Sequence, residues 1–219
     1  MGEIVDINHI QLSDRPLLVS DVDDVVLEFL LPFEAYLASL GHHLLPKSFH
    51  LTGNIVSLAD QRALEEHQVK QILHDFFDRQ EDWQRPFGDS VNQLKQLGSM
   101  ADVVFLTAMP PAYTQQRRRL LDQLGLDFPL LATESPKGPV VKALHRGRSL
   151  PLAFMDDMAH NLHSVADHAP DCLLVHIAPQ SEIHRFAPKT APQVIRAEDW
   201  SAACTTIVAH FNRAKTPTS

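Results

Sequence analysis

Asp21, Asp23 and Asp24 place three carboxylates within four residues, directly after the apolar run Leu17-Leu18-Val19. Acids at the carboxyl end of a strand can turn together into one crevice, because strict alternation of faces ends with the strand. Crowded there, they repel one another unless a cation or a reaction partner offsets the charge. A second acidic pair, Asp156-Asp157, follows the apolar run Ala153-Phe154-Met155 in the same way. Between the two lie Thr107, which closes Val103-Val104-Phe105-Leu106, and Lys137 in Glu134-Ser135-Pro136-Lys137-Gly138-Pro139. A strand-end hydroxyl beside a free backbone N–H can hold a phosphoryl oxygen, or it can bond its own turn. Lysine is favoured near helix C-termini, so a lysine at a helix opening flanked by Pro and Gly reads as a neutraliser of an anion, the alternative being an ordinary surface lysine. Four or five carboxylates with one lysine invite a hard divalent cation, and Mg²⁺ fits best, since it takes few carboxylates plus waters and substrate phosphate.

Something must carry these residues to one place. Five short apolar runs, at 17–20, 103–107, 130–132, 152–155 and 172–177, are continuous rather than alternating, as central parallel strands covered on both faces are. Helices are expected between the later ones: from Pro110-Pro111 through Leu124, stopped by Gly125; from Pro136 to Arg146, closed by Gly147; and from Asn161 to Ala169, stopped by Pro170. This alternation predicts an α/β fold with right-handed crossovers and a doubly wound parallel sheet, in which the fourth strand lies beside the first and both acidic clusters face one pocket. The gap between the first two strands is far longer than a crossover needs. Residues 28–85 therefore read as a small, mostly helical insert over the strand ends, between core segments 1–27 and 86–213. Within it, a helix over 30–40 ends at Gly41. Ser57 is the expected cap of a second, with Leu58, Val69, Ile72, Leu73, Phe76 and Phe77 at helical spacing. The pair Phe76-Phe77 reads as packing. A further helix is expected over 89–97, and 214–219 as a disordered tail.

Composition narrows the class. Across 219 residues, 44% apolar content is enough for a substantial core, and the formal charge of −8 without a basic patch argues against nucleic acid as a partner. The run Arg117-Arg118-Arg119 reads as the wet face of a helix. No stretch reaches the length of a membrane span, and the start, Met1 to Asp6, lacks the pattern of a secretion signal or, with Asp at position 6, of an acylation site. Cys172 and Cys204 match no metal spacing and read as buried small hydrophobes in a reducing cytoplasm. His42-His43, His160 and His163 read as ordinary histidines, since adjacent residues on one element point apart. Nothing in the sequence determines the oligomeric state.

The order Asp-x-Asp, Thr, Lys, Asp-Asp at successive strand ends resembles the haloacid dehalogenase superfamily of phosphohydrolases, with the insert where that family carries its C1-type helical cap. The resemblance implies that Asp21 is a nucleophile forming an aspartyl phosphate and that Asp23 is the general acid/base. It implies that Thr107, with Ala108 beside it, binds phosphoryl oxygens and that Lys137 offsets the charge of Asp21. Asp157 would hold Mg²⁺ with Asp21 and the backbone carbonyl of Asp23. Asp156 would be a second ligand or a partner that orients one, and Asn161 a residue that orients the ligands. Dehalogenating members lack the second Asp of the pair, so Asp23 favours phosphate ester cleavage. The expected activity is that of a Mg²⁺-dependent phosphatase acting on a small phosphorylated metabolite. Lys47, His50, Thr52 and Asn54 are candidate substrate contacts, by their place on a loop of the cap. A phosphomutase, a phosphonate hydrolase using a cap lysine (Lys47 or Lys70), and a non-catalytic phospho-ligand binding or switch protein are the alternatives.

Overall fold

A computed structural model describes residues 5–213. The expectations about the first residues and the 214–219 tail lie outside the described residues, except at positions 5 and 6.

Six parallel strands form the main sheet: β1 (Leu17–Ser20), β4 (Asp102–Thr107), β5 (Leu130–Ala132), β6 (Leu152–Asp156), β7 (Leu173–His176) and β8 (Ile195–Arg196), in the order β5-β4-β1-β6-β7-β8. Ser20 pairs with Phe105 on one side and Met155 on the other, so the two acidic runs leave the sheet side by side, as expected. Five strands fall where the apolar runs placed them. The sixth, β8, is two exposed residues long and carries no apolar run that could announce it.

Side-chain parity sorts the sheet into two cores. Leu18, Val103, Phe105, Ala153 and Met155 face one layer, with α4 (Ser90–Gly98), α5 (Thr114–Gln123) and α8 (Trp200–Arg213) packed on it. Leu17, Val19, Val104, Leu106, Leu152 and Phe154 face the other, under α6 (Lys137–His145) and α7 (Ala159–His168). α6 and α7 touch at Gly138: a Cβ there would sit 2.1 Å from the Ser164 carbonyl oxygen, so only glycine fits at this crossing. Gly147 follows α6 in a left-handed conformation (φ +67°) as expected, and Arg146 before it, which caps the helix, is left-handed too (φ +50°).

Between β1 and α4 the chain builds α1 (Leu30–Ser39), β2 (His42–Leu44), β3 (Ile55–Ser57), α2 (Glu66–Asp78) and the short α3 (Gln80–Trp83). β2 and β3 form an antiparallel hairpin, so the insert is less purely helical than expected. Ser57 does not cap a helix: it ends β3, and Leu58 is 52% exposed. The helix starts nine residues later, where the side chains of Glu65 and Gln68 form a reciprocal capping box. Three-residue strands give too short a pattern to register against helical spacing, which explains both differences. Val69, Ile72, Phe76 and Phe77 are buried as the spacing predicted, in an aromatic cluster with Phe29, Phe33 and Tyr36. This third core also takes in Met109, Ala132 and Ile183, which come from outside the insert. The two crossings between sheet and insert lie side by side: Glu28 N–H donates to the Arg85 carbonyl (2.8 Å) and Phe87 N–H to the Val26 carbonyl (2.8 Å). Among the described residues no helix is long and apolar enough to cross a membrane.

Candidate active site at the strand ends

Parity decides which groups meet. Asp21 continues the Leu17–Val19 face and Asp156 the Leu152–Phe154 face, so both turn toward the layer that holds α6. Lys137 is the first residue of α6, only 1% exposed, and its Nζ donates to Asp21 Oδ1 (2.5 Å) and Asp156 Oδ2 (2.7 Å). The surface-lysine alternative is thereby removed. The other Asp156 oxygen accepts from the Met158 N–H (2.8 Å) and from Asn161 Nδ2 (3.1 Å). Asp156 thus accepts three hydrogen bonds, and it orients the lysine. Burial alone would lower the Lys137 pKa, but Asp156 and Asp21 outweigh it and hold the ammonium charged.

The acids themselves are short of positive charge. Burial pushes Asp21 up to about 7 against the pull of Lys137, with Asp156 and Asp23 adding to the rise. Asp157 is pushed well above the usual carboxylate range by burial and then by Asp156, Asp21 and Asp24. It is 8% exposed, and no donor among the described residues reaches its carboxylate. Asp21, Asp156 and Asp157 can bring one oxygen each within 4.8 Å of one another. An all-oxygen set with a buried, unpartnered carboxylate and one lysine against several acids fits a hard divalent cation such as Mg²⁺. Asp24, Asp157 and His184 form a second group within the same span. Two of its members are already engaged. Asp24, in a left-handed conformation (φ +56°), accepts from the Phe29 and Leu30 N–H groups that open α1, and His184 Nδ1 is hydrogen-bonded to Ser181 Oγ.

Thr107 continues the opposite face of the sheet, toward α5. Its hydroxyl accepts from the Met109 N–H (3.1 Å), the turn bond that any strand-end threonine can make, and donates to Asp23 Oδ2 (3.2 Å). Asp23 stands here because Arg117 holds it. The guanidinium donates to Asp23 Oδ1 (2.8 Å) and Oδ2 (3.2 Å), to Gln84 Oε1 (3.0 Å) and to Gln80 Oε1. Gln84 Nε2 in turn donates to Asp23 Oδ1 (2.8 Å) and the Glu28 carbonyl (3.0 Å).

This corrects the reading of Arg117-Arg118-Arg119 as one wet face. At about 3.6 residues per turn, neighbours on a helix cannot share a direction. Arg117 is fully buried, in register with Leu120 and Leu121, while Arg118 reaches the Phe128 carbonyl and Arg119 pairs with Glu81 (2.6 Å). The i, i+3, i+4 spacing of Arg117 with those leucines was the signal that marks it as inward-facing. Gln80 and Gln84, also buried, carried no such signal.

The candidates on the insert are not drawn into this cluster. Asn54 is 5% exposed and spends its amide on the Ser48 carbonyl and hydroxyl and the His50 carbonyl, so it shapes its loop instead of facing a substrate. Lys47, His50 and Thr52 are exposed. Lys70 is paired with Glu66 on an exposed face of α2. Ala108 is exposed beside Thr107. Of the four histidines set aside, His160 is exposed, His163 accepts from the Ala191 N–H, and His42 and His43 are half-buried on β2, each with a buried Nδ1 that has no hydrogen-bond partner among the described residues. Cys204 is buried and Cys172 half-buried, with burial pushing the thiol pKa of each upward.

No protein-family model matches the sequence, and no curated protein matches it. Solved structures do. A haloacid dehalogenase-like family hydrolase from Xanthomonas campestris superposes with a TM-score of 0.58 at 12% identity, covering 92% of this chain and 98% of that one. A phosphoglycolate phosphatase predicted in Haemophilus somnus gives 0.56 at 15% identity, covering 88% and 97%. An L-2-haloacid dehalogenase gives 0.55 at 15% identity, covering 89% and 99%.

Proposed function

On a chain that has the haloacid dehalogenase-like fold, we propose a Mg²⁺-dependent phosphohydrolase that cleaves small phosphate monoesters through an aspartyl phosphate. The observation that carries this reading is the convergence of Asp21, Asp156 and Asp157 around the buried Lys137. Dehalogenases share the fold, but that resemblance gives them no second Asp, and the Asp23 carboxylate is present beside Thr107.

Asp21 attacks phosphorus as the bond to the leaving oxygen breaks, and a proton from Asp23 goes to that oxygen, releasing the alcohol. Water then attacks the aspartyl phosphate and gives its proton to Asp23. The Asp21–phosphorus bond breaks and inorganic phosphate leaves. Lys137 offsets charge on Asp21 and the transferred oxygens, and the Thr107 hydroxyl donates to one of them. Asp21 and Asp157, with the Asp23 backbone carbonyl, would hold Mg²⁺, which supplies positive charge to spread over the phosphoryl group. Asp156 keeps the lysine in place. The engaged or exposed cap lysines give no support to a phosphonate hydrolase.

The test is phosphate release from a panel of sugar, nucleotide and small-acid phosphates, comparing wild type with Asp21→Asn, with and without Mg²⁺. Turnover requiring both Asp21 and the metal is expected. Turnover indifferent to either would overturn the mechanism.

A further inference from the structure

A carboxylate offers about four lone-pair positions, and every one on Asp23 is occupied. Oδ1 accepts from Arg117 and Gln84, and Oδ2 from Arg117 and Thr107. Three of these four bonds come from residues that the strand-end motif does not contain. Arg117 is itself fixed by amides from the end of the insert, Gln80 and Gln84, and Gln80 is anchored in turn through its Nε2 to the Phe77 carbonyl (2.7 Å). The ion pair Arg119–Glu81 (2.6 Å) and the bond from Gln116 to Asp78 (2.9 Å) dock the same stretch of insert on the same helix. The fourth bond differs in kind, because the Thr107 hydroxyl is the group that a bound phosphoryl oxygen would claim.

We propose that Arg117, set by Gln80 and Gln84, is the positioning residue for Asp23: it fixes the carboxylate so that a phosphoryl group, by taking the Thr107 hydrogen bond, leaves Oδ2 as the one free position facing the leaving oxygen. The inference rests on the phosphohydrolase reading. A planar guanidinium with five donors suits this task, since it grips both carboxylate oxygens and two amide oxygens at once, which an ammonium cannot do. The proton that Asp23 gives the leaving oxygen arrives with the monoanionic ester, whose phosphoryl hydroxyl hands it to the Oδ2 position that Thr107 vacates; the proton taken from water in the second step leaves to solvent with the phosphate. Arg117 exchanges no proton; it decides where the exchange takes place.

Two aryl monoesters separate this role from a merely structural one. p-Nitrophenyl phosphate has a leaving group that departs readily without a proton, whereas phenyl phosphate depends more on one. General acid catalysis contributes roughly 10²–10⁴-fold, so Arg117→Ala is expected to lower kcat on phenyl phosphate about 100-fold and on p-nitrophenyl phosphate about 10-fold or less, with KM within about 3-fold. Arg117→Lys should fall between wild type and Arg117→Ala. Residues that act as a unit are not additive, so Asp23→Asn/Arg117→Ala should be no slower than Asp23→Asn alone, within about 3-fold. That double variant removes both charges and keeps the comparison available if Arg117→Ala alone fails to fold. Gln84→Leu, which leaves the ion pair in place, should show the same leaving-group bias in weaker form. Equal losses on the two esters, or additive losses in the double variant, would overturn the inference while the phosphohydrolase reading stood. Wild type that hydrolyses neither these esters nor any member of the phosphate panel would overturn both.

Discussion

Two cations are buried at the strand ends, Lys137 from α6 and Arg117 from α5, and each faces one carboxylate of the pair Asp21 and Asp23. Lys137 is a compact charge whose two partners both sit at ends of neighbouring strands, β1 and β6. Its whole environment belongs to the sheet and the layer behind it. Arg117 reaches in the other direction, with one side on Asp23 and the other on Gln80 and Gln84 of the insert. The first network keeps a crowd of acids tolerable; the second ties the aim of one acid to a separate layer of the molecule. Asp21 and Asp23 are two residues apart, yet they depend on different parts of the fold.

The comparison is most severely tested at Asp21. Asp21→Asn is expected to reduce phosphate release by at least about 10⁴-fold, because the proposed mechanism then lacks its nucleophile. Because burial disfavours the charged form of Asp21, removing its charge should not lower the thermal midpoint at pH 7. Next come the cations. Removing one partner of a buried pair costs about 3–5 kcal/mol, so Lys137→Met and Arg117→Met should lower stability similarly in urea titrations. Their rates should diverge, with about 10³-fold lost for Lys137→Met and about 10²-fold for Arg117→Met. Equal rate losses would erase the distinction drawn between the two networks. Gly138→Ala would drive a methyl into the Ser164 carbonyl and displace the helix that begins with Lys137. A loss of about 1–3 kcal/mol is expected, with a fall in kcat that Mg²⁺ cannot rescue.

Asn54→Ala should act on stability alone. Leaving the Ser48 and His50 carbonyls without their donor costs about 1–3 kcal/mol, while KM stays unchanged. A raised KM would return Asn54 to the substrate contacts. The smallest effect concerns His210, whose ring bonds the Leu152 carbonyl and whose pKa is lowered by burial and by Arg213, against the opposing effect of that hydrogen bond. A histidine with a folded pKa below its unfolded value near 6.5 stabilises fully above that value, and the contribution is lost as pH falls toward the folded pKa. Between pH 7 and 5 the urea midpoint of His210→Gln should therefore fall less than that of wild type. His176 and His184, shifted the same way by burial, keep part of the slope.

How much could be read from the chain follows the same division. The strand ends were legible because apolar runs, parity and the order of Asp, Thr, Lys and Asp are local patterns that one sheet converts into proximity. Lys137 was conspicuous because it stands at the wrong end of a helix for its charge. Arg117 was hidden among two other arginines, and its partners lie more than thirty residues away in a segment whose path no local pattern fixes. The hairpin β2–β3 escaped notice for a simpler reason: three residues are too few to display a period. Asn54 shows the remaining limit. A polar residue in a loop reads alike whether it faces a ligand or its own backbone.

The paired crossings at Glu28–Arg85 and Val26–Phe87 have a mechanical consequence. A layer attached by one chain can swivel in every direction, but two chains bonded side by side form a ribbon that bends easily across its flat face and resists twisting. Torsion or sideways shear would break the two hydrogen bonds that join them, whereas flexing leaves both intact. The two bonds would therefore leave an undocked insert with close to one degree of freedom, a rocking about the line through 27 and 86, and such a rocking would bring Gln80 and Glu81 back to the same seats on α5.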